Sequence, residues 1–133
     1  MTQNEAQRRR LTFYEAVIIE GRWVVPLDTK RIGKDMIAAA AEVFDKKWPE
    51  IKEYAEDELK DFARVLGRIS ARYAAGKIRE ENAKAMVSAQ IRSLEIVFLA
   101  VEGLGILMVE AAINSAVDVV RTAVNKAIGF ALL

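Results

Sequence analysis

The chain has 133 residues, of which 53% are hydrophobic and 29% charged, and its net charge is +1. This length predicts one domain with a core of ordinary size, and the composition excludes a disordered chain. The near-neutral charge gives no overall bias toward nucleic acid or an anionic membrane. Cysteine and histidine are absent, which excludes disulfides, thiolate metal sites and histidine-based acid–base catalysis.

We expect residues 1–33 to form an N-terminal arm ahead of a helical domain at 34–133. The runs LTFYEAVII (11–19) and WVVPL (23–27) flank Gly21, which predicts a short β-hairpin. An irregular arm, or a helix that ends at Gly21, is the alternative. No apolar stretch typical of a signal peptide follows the basic start of the sequence. We therefore expect a cytoplasmic or virion-associated protein.

The helical domain begins with an amphipathic stripe. Apolar residues recur every three or four positions from Ile37 to Tyr73, and charged residues occupy the opposite face. Pro49 interrupts the stripe without changing its phase, which favours one continuous helix with a kink at Pro49 over two helices. Gly76 is suited to the left-handed position that ends a helix.

A second helix is predicted from about residue 79 to residue 130. The short connection at Gly76 makes it antiparallel to the first helix. The sequence leaves open whether this second helix breaks near Gly103 and Gly105. The predicted fold class is therefore all-α: a long antiparallel helical hairpin with an N-terminal arm.

Charge is distributed unevenly between the two predicted helices. Residues 34–92 contain 12 basic and 11 acidic side chains, whereas residues 93–133 contain two basic and four acidic ones. A helix that is apolar over most of its circumference is buried on several sides, and the first helix covers only one of them. We therefore expect a homo-oligomeric helical bundle in which ten residues form the interface: Val97, Phe98, Val101, Leu104, Gly105, Met108, Ala112, Val119, Val120 and Val124.

Polar residues on the second helix suggest a structural role. Asn114, Asp118 and Arg121 are spaced to contact one another, and we interpret them as a buried network that sets helix register. Glu95, Glu102 and Glu110 share a face, but di-metal bundles also use histidine. No catalytic, cofactor-binding or metal-binding residue is predicted.

The N-terminal arm contains the only locally basic region. Arg8, Arg9 and Arg10 precede Lys30, Arg31 and Lys34. Clustered cations neutralise phosphates, so the three arginines are candidate nucleic-acid contacts; a solvated basic terminus is the alternative.

The runs EAAIN (110–114) and VNKAIGF (124–130), with Trp48-Pro49 and the turn at Gly76, resemble small all-helical proteins encoded by phages and prophages. The resemblance covers about the last 90 residues and implies a virion or tail-assembly component without catalytic residues.

The predicted function is that of a non-enzymatic structural subunit, whose partners are further copies of the chain and other virion proteins. One alternative is a membrane-inserting or pore-forming hairpin, whose charged stripe would face a water-filled lumen. The second alternative is a subunit that coats nucleic acid through the basic arm.

Overall fold

The computed structural model describes residues 26–133 and the backbone of two short strands before them. The predicted all-α fold is confirmed for residues 26–133, which form four α-helices: α1 (Thr29–Phe44), α2 (Trp48–Ala74), α3 (Glu80–Leu99) and α4 (Ile106–Ile128). The helical domain therefore begins at Thr29, five residues earlier than expected.

The two strands, β1 (Val17–Ile19) and β2 (Arg22–Val24), pair antiparallel with Ile18 opposite Trp23. Their side chains, the residues between them and residues 1–16 lie outside the described part of the chain. The β-hairpin of the arm thus stays a prediction, whereas residues 29–33 of the expected arm belong to α1. Asp28 begins the helical domain by accepting a hydrogen bond from the backbone N–H of Arg31 at 3.2 Å, which caps α1.

The predicted first helix is two helices rather than one kinked helix. A 3₁₀ turn, Asp45–Lys47, separates α1 from α2, and Asp45 has a positive φ of 48°. Pro49 lies in the first turn of α2. Its missing N–H is harmless there because the first N–H groups of a helix have no intrahelical acceptor. The apolar stripe keeps its phase because the break is only one short turn long.

Glycines with a positive φ lie in the connections that follow α2 and α3. Gly76 has φ 74° after α2, and the N–H of Lys77 donates to the carbonyl of Arg72 at 2.9 Å, as the sequence predicts for a left-handed helix end. Gly103, with φ 87°, lies in the loop at 100–105 that separates α3 from α4. The predicted second helix is therefore also two helices, and the expected hairpin is a four-helix arrangement.

Consecutive helices run antiparallel, and α4 returns beside α1, against which it packs most extensively. At the contact between α1 and α2, a Cβ added to Gly67 would stand 2.6 Å from Cγ2 of Thr29. One continuous core extends through all four helices. Its largest fully buried side chains are Phe44, Phe98, Met36, Leu59, Leu66, Ile69, Ile113, Val109, Val120 and Val124.

Candidate interaction surface at one end of the bundle

Two connections meet at one end of the bundle, which we call the turn end: the 3₁₀ turn at Asp45–Lys47 and the loop at 100–105. Nζ of Lys47 lies 3.3 Å from the position that a Cβ on Gly103 would take. The turn end therefore brings together the end of α1, the start of α2, the end of α3 and the start of α4.

Aromatic rings form the interior of the turn end. The Phe44 ring stacks on Trp48 at 6.3 Å and meets the Phe98 ring at 5.7 Å between centroids. Tyr54 contacts Phe98 edge-on at 6.4 Å, and its hydroxyl donates to the carbonyl of Val97 at 3.4 Å. These contacts bring α1, α2 and α3 together beneath the surface.

Large apolar side chains are exposed above this aromatic interior. Six large hydrophobic residues are exposed within residues 26–133, and four of them flank the loop at 100–105. A fifth, Tyr54, contacts the end of α3 and is 42% exposed. We call these five residues the apolar patch: Tyr54, with Ile96 (64% exposed), Leu99 (39%), Ile106 (57%) and Leu107 (79%).

The apolar patch interrupts the solvent-facing stripes of both helices that flank the loop. On α3, Arg92 is exposed, and one turn later the same face presents Ile96 and then Leu99. On α4, the stripe that carries Asn114 and Asp118 begins with Leu107. Both helices therefore exchange polar for apolar residues on their outer faces at the same end of the bundle.

Electrostatics around the apolar patch are mixed. Partial burial raises the pKa of the Tyr54 phenol above its ordinary value of 10.0, and the negative charge of Glu58 raises it further. Lys46 is exposed on the 3₁₀ turn, Glu102 is exposed in the loop, and Glu110 lies one turn after the start of α4. The rim of the patch therefore carries charges of both signs.

The predicted oligomer interface divides into buried and accessible residues. Half of the ten lie in the core of the single chain and cannot contact a partner while this fold persists: Phe98, Leu104, Ala112, Val120 and Val124. Val97, Val101 and Met108 are half-buried, and only Gly105 and Val119 are exposed. Helix α1 covers the face of α4 that the sequence pattern assigned to a neighbouring chain.

The three polar residues predicted to form a buried network lie on the surface of α4. Asp118 and Arg121 form an ion pair across one helical turn, and both side chains are about half exposed. Asn114 is also exposed. These residues have access to water, so they do not need the buried partners that we expected.

The remaining predicted features are the N-terminal arginines, the glutamates of the second predicted helix and a membrane-inserting helix. Arg8, Arg9 and Arg10 lie outside the described residues. Within the described part of the chain, Glu95, Glu102 and Glu110 join no group of three carboxylates that could hold a metal ion. None of the helices in the described ranges combines the length and apolarity needed to cross a membrane.

No family model matches the chain, and no significant match to it is found among curated proteins or among solved structures. The resemblance to phage-encoded helical proteins accordingly stays a prediction.

The residues of the apolar patch could be found from the sequence. The long apolar run from residue 96 onward, however, makes them hard to distinguish from core residues. Continuing the polar stripe of α3 by one turn from Arg92 places Ile96 on the outer face. Continuing the stripe of α4 backward by two turns from Asn114 places Leu107 there. The phase of the polar residues, rather than the number of apolar ones, indicates which apolar residues are exposed.

Proposed function

We propose that the chain is a non-enzymatic assembly subunit that associates with a second copy of itself through the apolar patch at the turn end. The observation that carries this proposal is the replacement of polar by apolar residues on the outer faces of α3 and α4, on both sides of one loop. Exposed apolar side chains that cluster in this way are typical of protein interaction sites.

The rim charges favour a second copy over an anionic membrane surface as the partner. In a two-fold symmetric contact each patch meets itself, so a basic rim residue of one copy can face an acidic rim residue of the other. Lys46 and Lys47 on the 3₁₀ turn are available to pair with Glu102 or Glu110 of the second copy. An anionic lipid surface would repel the two carboxylates.

The exposed apolar area of the patch limits how tightly two copies can bind. The five side chains of the patch together expose the equivalent of roughly three complete side chains per copy. The two patches of a dimer together expose about six side-chain equivalents, and burying them at about 2 kcal/mol each contributes about 12 kcal/mol. Association itself costs at least about 4 kcal/mol. The remainder, at most about 8 kcal/mol, corresponds to a dissociation constant no tighter than about 1 μM.

Larger assemblies are compatible with this surface. A virus or phage particle is one such assembly. The proposal that this chain is a subunit of such a particle rests on the sequence resemblance alone. The membrane-inserting alternative gains no support from the described helices, and coating of nucleic acid through Arg8, Arg9 and Arg10 rests on sequence alone.

Sedimentation equilibrium of wild-type protein from about 0.5 to 500 μM tests the proposal, because this range begins below the tightest expected dissociation constant of about 1 μM. We expect a monomer–dimer equilibrium in wild type. Leu107→Glu places a charge in the middle of the contact, and this variant should remain monomeric over the same range. The substitution replaces the most exposed residue of the patch, so it leaves the core intact.

Val119→Glu is the matched control. Val119 is 52% exposed on the same helix and lies about 18 Å along α4 from Leu107 at 1.5 Å per residue. Self-association of this variant should equal that of wild type. A dimer that Val119→Glu disrupts and Leu107→Glu leaves intact would move the interface to the middle of α4, and a wild-type monomer at all concentrations would end the proposal.

A further inference from the structure

A groove of about 510 Å³ lies between α1 and α2, away from the apolar patch. Both helices line it, and its charged residues lie one helical turn apart on each helix. Lys30 and Lys34 come from α1, and Lys60 and Arg64 come from α2. The remaining lining residues are Thr29, Ile37 and Glu56.

The groove concentrates positive charge in a nearly neutral protein. Within residues 26–133, four cations and one carboxylate line it, whereas the whole chain has a net charge of +1. Arg64 pairs with Asp61 at 2.5 Å. Within residues 26–133, Lys30, Lys34 and Lys60 form no ion pair. No carboxylate within residues 26–133 therefore neutralises these three ammonium groups.

The spacing of these cations suits a ligand with repeated charges. Residues four apart on a helix are separated by about 6 Å along its axis. Lys30 and Lys34 therefore form one short row, and Lys60 and Arg64 form a second row across the groove. Exposed Arg68 extends the second row by one further turn. Two rows of cations along one groove fit a linear polyanion.

We propose that this groove binds the phosphate backbone of a nucleic acid without reading its sequence. Phosphate neutralisation needs clustered lysine and arginine side chains rather than a shape-matched apolar pocket. Lys30, Lys34, Lys60 and Arg64 are exposed and supply such a cluster. Among residues 26–133, no aromatic side chain lines the groove, so these residues provide no surface on which bases could stack.

An acidic protein segment fits the groove less well. Protein interfaces depend on apolar or aromatic anchors that are fully desolvated at their centre. Among the described residues, Ile37 is the only large apolar one in the groove, and it is half-buried and packed against the core of its own chain. The groove therefore offers charge without an anchor.

Fluorescence anisotropy with a labelled DNA duplex and a labelled single-stranded RNA, from about 50 to 200 mM salt, tests the proposal. Wild type should bind both probes, with affinity that falls steeply as salt rises. Lys60→Gln combined with Arg64→Gln should weaken binding at least about 10-fold at the lowest salt. For duplex DNA, the same double variant should make the slope of log affinity against log salt concentration shallower by about 2. Each lost phosphate contact reduces the size of this slope by about 0.9.

The matched control is Arg92→Gln combined with Lys126→Gln, which removes the same two residue types from exposed positions on α3 and α4. This pair should change affinity less than about 2-fold. An equal loss of affinity in the two double variants would show that net charge alone drives binding, and this result would overturn the proposal. Absence of binding by wild type at the lowest salt would overturn it as well.

Two further measurements separate the remaining explanations. One is a triple variant, Arg8→Gln with Arg9→Gln and Arg10→Gln, which removes the predicted contacts of the N-terminal arm. If only this variant loses binding, the groove is not the site.

The other uses polyglutamate as a competitor that represents an acidic protein ligand. Displacement of the duplex by polyglutamate at equal charge concentration would assign the groove to acidic protein segments instead. Repeating the titration with Leu107→Glu makes the result independent of self-association.

Discussion

The two ends of the bundle bury their apolar side chains differently. At the tail end, opposite the turn end, the chain after α4 folds back over the core. Asn125 accepts hydrogen bonds from the N–H groups of Leu132 and Leu133, both at 2.9 Å, and donates to the carbonyl of Leu133 at 3.3 Å. Leu132 is buried, and the Phe130 ring meets Tyr73 at 4.8 Å. The turn end leaves Ile106 and Leu107 exposed.

This difference leaves the bundle with one covered end and one end that we propose as an interaction site. Every helix bundle exposes core side chains where its helices end, unless further residues cover them. Residues 129–133 provide this cover at the tail end. The loop at 100–105 contains only one buried side chain, Leu104, and leaves the outer face of the turn end apolar. A second copy of the chain can cover that face.

The largest effect is expected from removing an aromatic ring at the turn end. Phe98→Ala should lower the free energy of unfolding by about 3–5 kcal/mol, because the side chain is fully buried against Phe44 and Tyr54. Phe130→Ala at the tail end should cost less, about 1–2 kcal/mol, because Phe130 is only half-buried. Urea unfolding of both variants measures the difference, and a larger loss for Phe130→Ala would contradict the assignment of Phe98 to the core.

Detaching the tail should have the next largest effect. Asn125→Ala removes three hydrogen bonds to residues 132 and 133 and should cost about 1–2 kcal/mol. Asn125→Asp keeps an oxygen that accepts from both N–H groups but loses the donor, so its cost should be smaller. Hydrogen exchange at residues 130–133 reports the release of the tail directly. Unchanged exchange in Asn125→Ala would show that Phe130 and Leu132 hold the tail without help.

A smaller, stabilising effect is expected at the start of α4. Gly105 is the N-cap of this helix and provides no side-chain hydrogen bond, and an added Cβ would meet nothing within 4 Å. Gly105→Ser should therefore stabilise the protein by a few tenths of a kcal/mol, because serine accepts a hydrogen bond from an N–H of the first turn. Gly105→Ala adds the Cβ without the acceptor and should not stabilise. Thermal unfolding should rank Ser above Gly and Gly above Ala.

The smallest effect is a pH dependence at the turn end. The pKa of Tyr54 is raised in the folded protein, mainly by burial and further by Glu58. The folded state therefore binds this proton more tightly than the unfolded state does, and the contribution to stability is complete below pH 10. It is lost as pH rises from 10.0 through the higher pKa of the folded state. Tyr54→Phe should flatten the fall in stability above pH 10 compared with wild type.

The stripe from Ile37 to Tyr73 and the left-handed turn at Gly76 could be predicted from the sequence, because periodicity and glycine conformation are local properties. The break at Asp45 could not, because a one-turn interruption preserves the apolar phase on both sides. The burial of α4 by α1 depends on packing between residues far apart in the chain. Without that packing, buried residues such as Val120 and Val124 resemble interface residues.

Distances between labels at the two ends test the central claim most directly. The chain contains no cysteine, so Ala100→Cys and Lys77→Cys each provide one exposed spin-label site, at the turn end and the tail end respectively. If two copies meet at their turn ends, labels at residue 100 should lie within about 30 Å of each other. Labels at residue 77 should lie about 60 Å apart, because each copy contributes the roughly 30 Å length of α3. A short distance at residue 77 combined with a long one at residue 100 would contradict the account.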